Sequence, residues 1–241
     1  MSLKLDILVL AVHPDDAELG CSGTIAKQIA LGQKVGIVDF TRGELGTRGS
    51  AEIRDAEAAE SAKILGLSAR ENLRFRDGFF KNDEEHQLKL ITAIRKYRPE
   101  IILANAIEDR HPDHGRASQL TTEACFYSGL RMIETFGDNG EKQQAWRPKQ
   151  VFHYIQDRYI EPDFIVDVSD YWEIKDASIR AFSSQFYDPN SSDPQSYISS
   201  PDFLQFIEAR SREMGHKIGV KYGEGFTSEK KLEVKDLMGM L

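Results

Sequence analysis

Two clusters of histidine and aspartate carry the chemistry available to this chain: His13-Pro14-Asp15-Asp16 and His111-Pro112-Asp113-His114. His13, Asp16 and one histidine of the second cluster would make a metal site of two imidazoles and one carboxylate. Three protein ligands leave a position open for water, as a catalytic rather than a structural site requires. A divalent metal there lowers the pKa of the water and polarises a carbonyl oxygen. His111 and His114 are three residues apart on a helical turn and face the same way, so spacing does not choose between them. Nor does it separate zinc from ferrous iron, since two histidines and a carboxylate suit both. Asp15 is left beside the water as a general base, and the second histidine as an acid or oxyanion stabiliser. Asp113 could orient one imidazole.

Both clusters fall where a strand gives way to a helix. Ile7 to Val12 is an unbroken apolar run that reads as a strand buried on both faces. Pro14 cannot continue the ladder, and a helix runs from near Ala17 to Leu31, with Gly32 suited to its C-cap. Lys34 to Phe40 reads as the second strand, followed by the glycine-rich loop Thr41 to Ser50 and a helix from Ala51 to Leu65. That loop lacks the glycine-lysine-serine ending of a phosphate-binding loop. Asn72 to Phe75 is a short strand, Glu85 to Tyr97 a helix, and Glu100 to Asn105 a fourth strand that runs into the second histidine cluster. The helix from about Asp113 to Tyr127 follows. Strand-helix repetition of this kind means an α/β fold with a Rossmann-like, doubly wound, mostly parallel sheet and helices on both faces. In such sheets ligands bind at the carboxyl ends of the strands.

The regularity weakens beyond Gly129, which marks a C-terminal extension. Val151 to Ile155 and Phe164 to Val168 read as strands, and Tyr171 to Phe182 and Pro201 to Ile218 as helices. Tyr222 to Phe226 is a glycine-punctuated tail. Ser183 to Ser200 is long and irregular, suited to a lid or to an oligomer contact. With no internal repeat and no linker, residues 1–241 form one domain.

The chain of 241 residues has 40% hydrophobic and 29% charged residues and a net charge of −8, ordinary for a soluble globular protein. The acidic balance argues against nucleic acid or an anionic membrane as the main partner. Cys21 and Cys125 are too few for a disulfide framework and suit a reducing cytoplasm.

The motifs His13-Pro14-Asp15-Asp16 with Glu18 and Gly20, Gly23-Thr24, Thr41-Arg42-Gly43-Glu44, Arg54 and His111-Pro112-Asp113-His114 together resemble the LmbE-like (PIG-L) family of metal-dependent N-acetylglucosaminide deacetylases. The resemblance runs from about Leu5 to Gly225 and is nearest the branch that deacetylates N-acetyl-glucosaminyl-malate in bacillithiol biosynthesis. It implies zinc on His13, Asp16 and His114, Asp15 as general base, and His111 as the group that stabilises the oxyanion and protonates the departing amine. It also implies a homo-oligomer, a hexamer by analogy. Cys21-Ser22 depart mildly from the pattern, and Cys21 reads as a packed small side chain rather than a ligand.

Arg54 and Arg110 are candidates to bind a malate carboxylate bidentately, and Glu44 to bond a sugar hydroxyl. His86 reads as a surface residue, His153 as a core histidine, and His216 has no evident partner. Two further readings compete: a deacetylase of a chitooligosaccharide or a mycothiol-type inositol glycoside, and a non-catalytic Rossmann-like nucleotide-binding module. The latter lacks the glycine fingerprint and puts carboxylates where a pyrophosphate would sit.

Overall fold

The computed structural model describes residues 3–240. Five strands, β1 (Ile7–Ala11), β2 (Val35–Thr41), β3 (Ala69–Phe75), β4 (Ile101–Ala104) and β5 (Gln150–Tyr154), pair in parallel in the order β3-β2-β1-β4-β5. The chain winds outward from β1 to β3, then returns to the other side of β1 with β4. The crevice between β1 and β4 is therefore the topological switch point, where such sheets bind ligands.

The pleat of β1 explains its unbroken apolar sequence. Leu8, Leu10 and Val12 face a core with Phe40, with Leu90 and Ile94 of α3 (Glu84–Tyr97) and with Leu120 of α4 (Pro112–Tyr127). Ile7, Val9 and Ala11 face the opposite core, with Ala17, Cys21 and Ile25 of α1 (Asp16–Ala30). A third cluster lies outside α1, where Ala58 of α2 (Ala51–Leu65) meets Ile179, Phe182, Phe186 and Phe203. Ile179 belongs to α5 (Trp172–Arg180) and Phe203 opens α6 (Phe203–Lys217).

The tail differs from the expectation drawn from the sequence. β6 spans Phe164–Asp167 and β7 spans Gly223–Ser228, and β7 inserts between β5 and β6, antiparallel to both. Glycines weaken strand propensity, which hid this strand, but close packing demands them. A Cβ on Gly223 would lie 2.7 Å from Ile165 Cγ2 and 2.9 Å from the backbone nitrogen of Gly215 on α6.

Helix α1 is broken at Cys21, whose φ of −149° and ψ of 18° leave the helical region. A fully buried ion pair bridges the break. Glu224 of β7 accepts from the backbone N–H groups of Gly23 (3.0 Å) and Thr24 (2.7 Å), while Lys175 of α5 donates to the carbonyl of Leu19 (2.9 Å). Lys175 and Glu224 themselves meet at 2.6 Å. The ammonium thus caps the first half of α1 and the carboxylate caps the second. Among the described residues no helix is long and apolar enough to cross a membrane.

Candidate metal centre and active-site cavity

The strand ends bring the two histidine clusters together at the switch point. Ring centroids are 5.7 Å apart for His13 and His114, 4.8 Å for His13 and His111, and 5.2 Å for His111 and His114. Asp16 lies between two of them, with Oδ2 3.4 Å from His13 Nδ1 and Oδ1 3.1 Å from His114 Nε2.

The remaining ring nitrogen of each imidazole meets a carboxylate. His13 Nε2 is 3.1 Å from Asp77 Oδ1 and 3.8 Å from Asp113 Oδ2. His114 Nδ1 is 2.5 Å from Asp109 Oδ2. Carboxylates behind histidines in this way fix ring orientation and tautomer in metal sites. Asp16 is held just as firmly: Asn105 Nδ2 donates to its Oδ2 and Gln156 Nε2 to its Oδ1, both at 3.0 Å. Asn105 Oδ1 also accepts from Val12 N at 3.0 Å, which ties β4 to the end of β1.

Charge in this cluster is anionic in surplus. Burial opposes a positive His13, yet Asp113, Asp16 and Asp77 outweigh it and hold the ring well above its ordinary pKa. His114 is likewise raised to about 9, against burial, by Asp16 and Asp109. Burial would raise Asp16, but the two imidazoles hold it well below the usual carboxylate range. Carboxylates thus surround both imidazoles, and a donor set of imidazole nitrogens and carboxylate oxygens with surplus negative charge fits a divalent cation. Among the described residues, two overlapping sets of donors are close enough to hold one: the three imidazoles, whose ring nitrogens lie within 4.8 Å of one another, and His13 with Asp77 and Asp113.

Asp15 occupies the N-cap position of α1 with φ 125° and ψ −23°, and its side chain makes no capping hydrogen bond. That backbone is strained for a residue with a Cβ, and such strain clusters at functional sites. Its carboxylate is 3.0 Å from Arg54 Nη2, and the same nitrogen donates to the Pro14 carbonyl. Burial raises the Asp15 pKa to about 7, with the Arg54 charge pulling against it. His111 caps α4, its Nδ1 accepting from Asp113 N at 3.3 Å. Burial and the neighbouring His13 and His114 lower its pKa. A neutral ring that accepts at Nδ1 carries its proton on Nε2, which makes Nε2 a donor.

His13, Asp15, Asp16, Arg54, Arg110, His111 and His114 all line one cavity of about 480 Å³. Glu44 does not. Its Oε1 accepts from Asp77 N at 2.8 Å and its Oε2 from Arg42 N at 3.2 Å, so it buttresses Asp77. Arg110 stacks on Tyr197, 4.2 Å from the ring centroid, and is 3.5 Å from Asp157. Ser196, Tyr197 and Ile198 bring the irregular segment onto the cavity wall, and Arg48 anchors it by donating to the Ser184 carbonyl at 3.0 Å.

Of the other histidines, His153 is buried against Ser118 Oγ (3.0 Å) and the Asn105 carbonyl (2.8 Å), and His216 is exposed. His86 is more enclosed than a surface position, with its ring 4.7 Å from that of Phe75. Cys21, at the break in α1, packs into the core against β1.

Asn105, Gln156, Asp77 and Asp109 were not singled out in the sequence. The signal that could have found three of them is position, since Asn105, Gln156 and Asp77 stand one or two residues past the ends of β4, β5 and β3.

The profile of the PIG-L family, described as GlcNAc-PI de-N-acetylase, matches residues 8–125. The diacetylchitobiose deacetylase of Thermococcus kodakarensis is 31% identical over 195 residues, covering 75% of this chain and 70% of its own. The 4-oxalmesaconate hydratase of Pseudomonas putida is 27% identical over 193 residues, covering 74% and 73%. The crystal structure of a conserved protein from Thermus thermophilus superposes with a TM-score of 0.85 at 38% identity, covering 96% of this chain and 98% of that one. With both histidine motifs assembled at the switch point of the sheet, the chain belongs to the PIG-L (LmbE-like) family of deacetylases.

Proposed function

We propose that this protein hydrolyses the N-acetyl group of an N-acetylglucosaminide, with zinc as its metal ion and ferrous iron as the alternative. The observation that carries the reading is the pinning of His13 and His114. Carboxylates hold the far ring nitrogens, and the near ones turn toward Asp16. His13 Nδ1, Asp16 and His114 Nε2 would hold the ion. His111 is set apart from this group because its Nδ1 already accepts from a backbone N–H.

The ion would supply Lewis acidity at the acetamide carbonyl and to a water. Asp15 takes the proton of the attacking water, a task suited to a carboxyl whose pKa lies near neutrality. Arg54 fixes the orientation of Asp15 and favours its ionised form. His111 donates from Nε2 to the developing oxyanion. Collapse of the tetrahedral intermediate breaks the C–N bond as the proton that Asp15 took from the water passes to the departing nitrogen, leaving acetate and a free glucosamine amine.

The substrate reading is broader than a malate glycoside. Arg54, nominated to bind malate, is engaged by Asp15 and the Pro14 carbonyl. Similarity to a diacetylchitobiose deacetylase supports an N-acetylglucosaminide as the substrate class and leaves its aglycone to the rest of the cavity. Two unpaired, buried cysteines support a cytoplasmic setting.

The test is amine release from diacetylchitobiose, N-acetyl-glucosaminyl-malate and free N-acetylglucosamine, on zinc-loaded and chelated protein. Metal-dependent release, fastest from one glycoside, is expected. No release from any of them with metal bound overturns the reading and turns attention to hydration of 4-oxalmesaconate, the reaction named for the Pseudomonas relative.

A further inference from the structure

The cavity that holds the metal centre has a second, apolar wall that hydrolysis of an acetamide does not require. Leu19, Ile198, Phe203, Ile207 and Met214 line it alongside the histidines. Phe203 and Met214 are buried, but Leu19, Ile198 and Ile207 are only partly so. These three pack on the Phe203 cluster, remain partly exposed and line the cavity. All but Leu19 come from the chain beyond residue 125, outside the stretch matched by the family profile. A sugar hydroxyl set against this wall would lose its hydrogen bonds to water without replacement. An alkyl or aryl group set there would be removed from water at a gain.

We propose that this wall is a subsite for an apolar substituent of the amino sugar, so that the preferred substrate is an N-acylglucosaminide bearing an alkyl or aryl group. The inference rests on the deacetylase reading above. The substituent has two points of attachment open to it, the anomeric oxygen or an N-acyl chain longer than acetyl, and either presents the same chemistry to the wall.

Four ligands separate these sources: glucosaminides with a methyl or hexyl aglycone, each carrying N-acetyl or N-hexanoyl. Their binding is read by titration calorimetry on the zinc-loaded Asp15→Asn protein, where turnover is not needed. At least one elongation is expected to tighten binding about tenfold or more, given a gain of about fourfold per buried methylene. Ile198→Asn and Ile207→Asn should each reduce that gain while leaving the methyl, N-acetyl ligand unchanged. A gain confined to the hexyl ligands assigns the wall to the aglycone, and one confined to the hexanoyl ligands assigns it to the acyl chain. Equal affinity for all four, or a gain that survives both substitutions, overturns the proposal. Amine release by the unsubstituted protein reports separately on the deacetylase reading, because binding is measured without catalysis.

Discussion

Arg54 Nη2 lies 3.0 Å from Asp15 Oδ2, with both side chains buried and the same nitrogen donating to the Pro14 carbonyl. One guanidinium from α2 therefore fixes the turn that follows β1 and the carboxylate at its apex. Asp15 keeps a φ of 125° that its own side chain disfavours, and Arg54 is the contact that holds it there.

Replacing the base should remove catalysis and spare the metal. Asp15→Asn is expected to lower kcat by about 10²- to 10⁴-fold, with zinc content unchanged by elemental analysis. Arg54→Met should cost less, up to about a hundredfold, because it misplaces the base without removing it. A variant Asp15→Asn that arrives without zinc would make Asp15 a ligand and end its assignment as base.

The two histidines of the second cluster should separate cleanly. His114→Ala is expected to lose the metal, whereas His111→Ala retains it and loses about 10²- to 10³-fold in kcat, the scale of one oxyanion donor. Zinc stoichiometry after dialysis decides the matter. Loss of zinc from His111→Ala would instead support the set of three imidazoles.

Asn105 and Gln156 should control metal affinity without touching the ion. Each donates to one oxygen of Asp16 at 3.0 Å. Asn105→Ala or Gln156→Ala should weaken zinc binding about 10- to 100-fold in competition with a chromogenic chelator. Unchanged affinity in both would show that Asp16 needs no such support.

The ion pair across the break in α1 should dominate local stability. Lys175→Met leaves a buried Glu224 carboxylate without its cation and is expected to cost about 3–5 kcal/mol in urea unfolding. Adding Glu224→Gln should recover part of that loss, since the remaining charge is then removed. A Lys175→Met variant as stable as the parent would contradict the bridging role.

Gly20 has no room for a side chain. A Cβ there would lie 2.3 Å from Cδ2 of the fully buried Tyr154. Gly20→Ala is expected to destabilise by about 1–3 kcal/mol and to lower zinc affinity, because the displaced segment carries Asp16. Thermal unfolding and chelator competition together test this.

Much of the architecture was legible in the sequence because it is written locally. An apolar run ending in His13-Pro14 declares a buried strand and the point where it stops, and the same logic holds for Glu100 to Asn105 before the second cluster. The motifs His13-Pro14-Asp15-Asp16 and His111-Pro112-Asp113-His114 also fix the chemistry, since few other residue sets leave two imidazoles and a base at a strand end. What the sequence could not specify is which partners meet across the sheet. Strand order alone brings Asn105 and Gln156 onto Asp16, and packing of α2 turns Arg54 from a candidate substrate ligand into the partner of Asp15. The strand Gly223–Ser228 was hidden for the same reason. Its glycines have poor strand propensity, and only the close approach of α6 and the need for Glu224 at the broken helix make that segment a strand in the interior of the sheet. Local pattern determines elements and reactive groups, whereas long-range contacts, which no single window of sequence contains, decide how those groups are held.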